Sequence, residues 1–260
     1  MKTTRKYTTD VGIVRKYSED RYKLVALRVY RSKGIEEEKK HTAKGEAGND
    51  EKLSNNIART KRRIYDLSMC NSWEWYVTLT LDEKKQDRND LQKYIKDFGQ
   101  FVRNYKRKNK TDIKYLLVPE LHKSGGWHLH GFFMNIKQYD LRELTLQEKL
   151  PYRIRNELRK GRKLYTWESY SKRFGYTCIE PIESQERISS YIMKYITKDS
   201  VSTVKKLNLH SFYASQGLKE PEFVSCDCLI KEVDNPSFEN EYCSIKWFED
   251  KNDALAYLCV

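Results

Sequence analysis

The segment Trp127-His128-Leu129-His130-Gly131 carries two histidines at positions i and i+2. In a β-strand such side chains leave the same face about 7 Å apart, so two imidazoles can share one cation. Just upstream, Val118-Pro119-Glu120-Leu121-His122 supplies a carboxylate, and the intervening His-Lys-Ser-Gly-Gly is turn-forming. Parity decides whether that carboxylate joins the imidazoles. A loop with an odd number of residues, such as Ser124-Gly125-Gly126 with a glycine at positive φ, sets Glu120 opposite His130 and His122 opposite His128. A two-residue loop turns Glu120 away. The expectation is therefore a three-residue or bulged turn and a metal site of His128, His130 and Glu120. Two neutral nitrogens and one carboxylate leave open coordination positions and a net positive charge, which suits Mn2+ or Mg2+ acting as a Lewis acid on a phosphate oxygen. His122 reads as a surface histidine at the loop edge in preference to a further ligand.

A second set of reactive residues lies downstream, in Tyr191-Ile192-Met193-Lys194-Tyr195-Ile196-Thr197-Lys198. At about 100° per residue, Tyr191, Lys194, Tyr195 and Lys198 fall within an arc of about 100°, and Ile192 and Ile196 point to a neighbouring face that can be buried. With 19 tyrosines in the chain, a Tyr-Lys pair on a helix carries little weight alone. Beside a metal site it gains meaning. A phenol, with a pKa of about 10, is a poor nucleophile until lysine or a cation favours the phenolate.

The elements that must position these groups can be read from periodicity. Tyr22 to Arg31 is expected as a first strand, and Ser32 to Glu51 as a polar loop. Lys52 to Asn71 has apolar residues at helical spacing and a basic outer face containing Arg59, Lys61, Arg62 and Arg63, the candidate DNA-holding residues. Trp73 to Leu81 is β-rich, and Thr78 and Thr80 within it are placed near the site as strand residues in contact with DNA. Asp87 to Lys108 is expected as a helix with Asp87 or Asn89 as its N-cap. Ile113 to Leu121 and Trp127 to Asn135 should form an antiparallel hairpin. Lys137 to Lys172, polar and broken by Pro151 and Gly161, reads as a helical insertion on the surface. Strands at Tyr176 to Ile182, Phe223 to Val233 and Tyr242 to Phe248, and a helix at Gln185 to Lys198, complete an α+β sheet packed on one face by helices.

Composition bounds the partners. Lysine and arginine number 50 against 37 acids, a net charge of +13, and aromatic residues make up 13% of the chain. That balance suits a phosphate backbone with rings available to stack on unpaired bases. With 38% apolar residues, one large domain, or one domain with elaborations, can bury a core. The six cysteines form no CxxC pair and no tetrahedral zinc spacing, so reduced thiols are the default. No run of about 18 apolar residues and no apolar leader occurs, so a soluble, cytoplasmic protein without a membrane partner is expected. No phosphate-binding G-x-x-x-x-G-K-[ST] motif occurs, so a helicase would come from another chain.

Trp75-Tyr76-Val77-Thr78-Leu79-Thr80-Leu81, His128-Leu129-His130 and Tyr191 to Lys198, in that order, resemble the three motifs of the HUH replication initiators, the rolling-circle Rep proteins of small phages and plasmids. The paired tyrosines are similar to the phage type with two nucleophiles. The resemblance implies a central antiparallel sheet of RRM-like topology and a divalent ion held by the histidines and an acidic or polar residue. It also implies site-specific cleavage of single-stranded origin DNA in a bacterial host, with a helicase and polymerase supplied by host or element. Residues 52–235 are then the endonuclease domain, with 137–172 as its insertion, 1–51 an N-terminal strand and polar segment, and 236–260 a C-terminal extension. Two alternatives share some of these residues: a transposase or relaxase of a mobile element, and a non-catalytic RRM-like module that binds single strands.

Overall fold

The computed structural model describes residues 7–8, 10–28, 30–31, 50–122, 125–197, 203 and 209–259. The chain divides into two compact units, residues 43–218 and residues 1–42 together with 219–260.

The first stretch of chain supplies β1 (Tyr7–Thr8), β2 (Val11–Ser18), β3 (Arg21–Leu27) and β4 (Tyr30–Arg31). The larger unit then runs α1 (Asp50–Cys70), β5 (Trp75–Leu81), α2 (Leu91–Asn109), β6 (Lys114–Leu121) and β7 (Trp127–Met134). It continues through β8 (Leu141–Glu143), α3 (Tyr152–Arg159), β9 (Tyr165–Trp167), α4 (Glu168–Arg173), β10 (Gly175–Pro181), α5 (Gln185–Ile192) and β11 (Tyr213–Ala214). The chain returns to the smaller unit with β12 (Glu222–Leu229), β13 (Phe238–Glu239), β14 (Cys243–Phe248) and α6 (Lys251–Leu255).

In the smaller unit β1 pairs with β4, and a second antiparallel sheet has the order β12-β2-β3-β14-β13. Val14, Tyr22 and Leu24 on one face of that sheet pack against Ala254 of α6 and Leu258. Strand β12, from the segment 52–235, thus pairs with β2 from the segment 1–51, and β14 from 236–260 pairs with β3. Strand β2 was not expected, because Arg15 and Lys16 interrupt its apolar alternation. The strand expected from Tyr22 to Arg31 ends at Leu27, and the loop expected from Ser32 lies, for residues 32–49, outside the described residues.

The larger unit is built on a seven-stranded antiparallel sheet of order β11-β6-β7-β5-β10-β9-β8. Its middle four strands, with α2 between β5 and β6, stand in the order second, third, first, fourth, the RRM-like arrangement. Together with the helices this is an α+β fold.

Alternation along the strands divides the residues between two cores, one on each face. Val77, Leu79 and Leu81 of β5, Leu117 of β6, and Leu129 and Phe133 of β7 pack on Leu91, Tyr94, Phe98, Phe101, Val102 and Tyr105 of α2. Helix α2 begins at Asp90, whose carboxylate accepts the Lys93 amide at 2.9 Å; Asp87, one of the expected caps, holds the Asn89 amide in the preceding loop. On the opposite face Tyr76, Leu116, Val118 and Phe132 pack on Ile64 and Leu67 of α1 and on Ile192, Tyr195 and Ile196. Helices therefore cover both faces, against the expectation of one. Two separate apolar stripes on alternating strands each need a cover, and α1 and α5 supply the second.

The expected surface insertion also differs. Only α3 is without buried residues. Strands β8 and β9 extend the sheet, and Trp167 and Tyr170 are fully buried in the core. The buried Asp140 carboxylate anchors this segment, accepting the Trp167 indole at 2.7 Å and both the amide and hydroxyl of Ser169. Its apolar residues are spread over three short elements, so no periodic run betrays them. No helix among the described residues is long and apolar enough to cross a membrane.

Gly131 lies between its partners Leu117 and Val77 in the sheet, and a Cβ there would stand 1.9 Å from the Leu116 carbonyl oxygen. We expect Gly131→Ala to lower stability by at least about 2 kcal/mol, since backbone must move to admit the methyl group. Chemical denaturation measures this, and an unchanged midpoint would contradict the β6–β7 register.

Candidate active site: an imidazole pair facing two phenols

Thr78 and Thr80 on β5, His128 and His130 on β7, and Glu120 on β6 share parity with Tyr76, Phe132 and Val118, so all five leave the sheet on the α1/α5 side. Trp127 fixes the start of β7: its amide donates to the Arg88 carbonyl at 2.8 Å and its indole to the Asn89 carbonyl at 3.1 Å.

The turn between β6 and β7 spans 122–126, five residues and not three, with Leu121 opposite Trp127 as the last rung. The His122 amide donates to Gly126 O and the Gly125 amide to His122 O, and Gly125 and Gly126 have φ of 80° and 87°. Residues 123 and 124 of the expected loop lie outside the described residues. The odd loop keeps Glu120 on the histidine face, but the register is two residues from the one expected. Glu120 stands directly opposite His128, and Val118 opposite His130. The carboxylate still reaches His130 along the diagonal, with Glu120 Oε2 2.8 Å from His130 Nε2, because diagonal neighbours on one face remain within reach of a long side chain. His122 sits beyond the last rung, exposed, its ring 5.4 Å from that of His128.

Each imidazole is oriented by a threonine of the neighbouring strand. Thr78 Oγ1 lies 3.2 Å from His130 Nδ1, and Thr80 Oγ1 lies 3.0 Å from His128 Nδ1. Their hydroxyls are thus occupied by the rings, where the sequence had suggested contact with DNA. With each Nδ1 engaged, Nε2 is the nitrogen each ring turns toward the site. Burial first, then repulsion from His130 and His122, pushes the His128 pKa down to about 4. The hydrogen bond from His130, opposed in part by desolvation, holds the Glu120 carboxyl below its ordinary range.

The tyrosines arrive on a helix that ends sooner than expected. Ser184 caps α5 by accepting the Arg187 amide, but after Ile192 the chain tightens into a 3-10 turn, Met193–Tyr195, and leaves helical geometry at Ile196. Lys198 lies outside the described residues. Ile192 and Ile196 are buried as expected. The tightened turn carries Tyr195 inward, where its ring stacks on His130 with centroids 4.0 Å apart and planes 7° from parallel. The Tyr76 hydroxyl donates to the Tyr195 hydroxyl at 3.2 Å. Tyr191 stands edge-on to both Tyr195 and Tyr76, at 6.1 Å and 5.5 Å, and is 36% exposed where Tyr195 is 8%. Lys194 Nζ lies 3.4 Å from the Tyr191 ring centroid and 4.7 Å from that of Tyr195.

This placement separates the two phenols chemically. Burial raises the Tyr195 pKa, and the nearby Tyr191 adds to it. Burial also opposes ionisation of Tyr191, but hydrogen bonds from Lys194 and Tyr195, the Lys194 charge and Arg153 outweigh it, leaving that phenol below its ordinary value. Arg153, on α3, and Tyr76 are site residues the sequence reading did not find. Arg153 comes from the segment expected to be a surface insertion, and nothing in its local pattern marks it. Arg59, Lys61, Arg62 and Arg63 are all exposed on α1; Arg62 lies 3.9 Å from Asp66, and Lys61 borders a cleft shared with Lys194.

No group of three or more His, Cys, Asp or Glu side chains among the described residues is already arranged as an ion cage. The donor set at the imidazole pair nevertheless fits a divalent ion chemically: two rings with Nδ1 engaged, one of them neutral, and a carboxylate on the same face.

The fold and site together define a class, an antiparallel sheet of RRM-like order whose imidazole pair faces two tyrosines. Residues 74–200, just under half of the 260, match the family model for replication-associated proteins of the ORF2 type, a match that supports a replication-associated protein. The matched stretch runs from the start of β5 through the tyrosine segment and contains every residue of the site. No curated protein and no solved structure matches the chain.

His128 gives a pH test. Its folded-state pKa lies below the ordinary 6.5, so folding favours the neutral ring. The resulting stability is fully present above pH 6.5 and is lost as pH falls toward 4. In the metal-free protein, NMR of the ring nitrogens should place the His128 midpoint near 4; a midpoint at or above the ordinary value would contradict its burial.

Proposed function

We propose that this chain is a replication initiator that nicks single-stranded origin DNA through a tyrosine nucleophile, leaving a 5′-phosphotyrosine and a free 3′-hydroxyl. The observation that carries this reading is the stack of Tyr195 on His130, which brings a Tyr-Lys-Tyr cluster to an imidazole pair from far along the chain. His128, His130 and Glu120 would hold a divalent ion, Mn2+ or Mg2+, which when bound supplies Lewis acidity at a phosphate oxygen.

Tyr191 is the better first nucleophile, because it is the more exposed phenol and its phenolate is favoured by Lys194 and Arg153. Its oxygen forms the new bond to phosphorus as the bond from phosphorus to the 3′ oxygen breaks. The phenol proton is lost to solvent, and the departing 3′ oxygen takes one up. Lys194 and Arg153 offset charge as it shifts from the phenolate to the phosphate. Tyr195, shielded until the first adduct forms, serves the second transfer after the 3′ end has been extended. Lys198 is assigned the corresponding role for Tyr195. The basic face of α1 holds the strand, and helicase and polymerase come from other chains in the bacterial cytoplasm.

The test mixes protein, Mn2+ and single-stranded fragments of the replicon and resolves denaturant-resistant adducts by electrophoresis. Tyr191→Phe should lower the first adduct by about a thousandfold or more, in line with loss of a nucleophile. Tyr195→Phe should leave the first adduct and block the second transfer. His128→Ala should abolish both. An adduct that persists in the doubly substituted Tyr191→Phe, Tyr195→Phe protein would overturn the assignment.

A further inference from the structure

Beside the two phenols, where α1 packs on α5 and the turn that follows it, lies a cleft of about 440 Å³. Ile57 and Ala58 of α1 form one wall and Met193 and Ile196 the other, with Lys61 and Lys194 among the lining residues. Among the described residues no carboxylate lines it. Its size falls in the range of small-ligand sites, about 300–1,000 Å³.

We infer that this cleft seats an unstacked nucleobase of the single strand, the base of a nucleotide adjoining the scissile phosphate. The inference rests on the nicking reading and adds to it a site for the substrate. Apolar walls suit the flat face of a base, and single-strand recognition commonly splays bases into such slots. The two ammonium groups suit the phosphates on either side of that base. Position sets which nucleotide is held. Lys194 lines the cleft and also lies 3.4 Å from the Tyr191 ring, so a base held there belongs to the nucleotide next to the one under attack. The exposed Arg59, Arg62 and Arg63 on the same helix extend the positive surface along which the strand would run.

The test uses the intact protein and needs no nicking. Methyl NMR follows the Met193, Ile57 and Ile196 methyl groups during titration with each of the four deoxynucleoside 5′-monophosphates, and with deoxyribose 5-phosphate as the baseless control. Saturable shifts of these methyls with at least one nucleotide, absent with the control, are expected. Ala58→Trp, at an exposed helix position, should fill the cleft and remove those shifts. The same variant should weaken binding of a fluorescein-labelled replicon strand about tenfold, the loss of roughly one base contact. Equal shifts with the baseless control, or none with any nucleotide, would overturn the inference. Because adduct formation is read separately, a protein that nicks yet shows no base-dependent shift loses the cleft assignment alone. A protein that binds bases and forms no adduct loses the nicking reading.

Discussion

The two-residue period of three adjacent antiparallel strands constrains everything at the site. Strands β6, β7 and β5 stand side by side, and on their common face the ladder lines up Glu120 with His128 and Thr80, and Val118 with His130 and Thr78. A slip of one residue between any two would turn a carboxylate or a hydroxyl into the apolar core beneath α2, where it would lack partners. The register is held at both ends. Trp127 is bonded to the loop before α2, and Gly131 lets the Leu116 backbone come closer than any side chain would permit. Orientation of the imidazoles is thus a by-product of sheet pairing, since their threonine partners are the residues directly across the ladder.

The phenols depend on a different constraint, the place where α5 stops. An α-helix continued through Lys198 would carry Tyr191 and Tyr195 on one exposed stripe as near equivalents. The tightening over Met193–Tyr195 rotates Tyr195 into the sheet, against His130 and Tyr76, and leaves Tyr191 outside with Lys194 across its ring. Two residues of one chemical type thereby acquire opposite pKa shifts through burial and neighbours.

Much of this was legible in the chain because it is local. The i, i+2 histidines, the acid before a glycine turn and the Tyr-Lys repeat each follow from one strand or one helix turn. The odd parity of the β6–β7 loop could be read as well, whereas its length could not, since three and five residues place the same face outward. Pairings across long separations left no mark. Strand β2 finds β12 some two hundred residues away, and Arg153 reaches Tyr191 only because β8 and β9 join the sheet and set α3 beyond them. Polar composition misdirected the reading of 137–172 because a buried carboxylate, Asp140, holds a sparse set of aromatic residues in the core through hydrogen bonds.

One ammonium group lies within reach of both phenol rings, and this bears on the order of events. Lys194 is exposed and lies over Tyr191 and Tyr195 together, so its charge can favour either phenolate without movement of the backbone. It cannot favour both equally. Each phenol raises the cost of ionising the other, and the Tyr191 anion is among the causes that hold Tyr195 protonated. Once the Tyr191 oxygen is esterified it no longer bears that phenolate charge, and the share of Lys194 it held becomes available to its neighbour. Tyr195 then still faces its burial, which a strand entering the site would change by displacing the ring from His130. Alternation between two nucleophiles would on this view need no second subunit and no large motion, only a transfer of one positive charge between two rings.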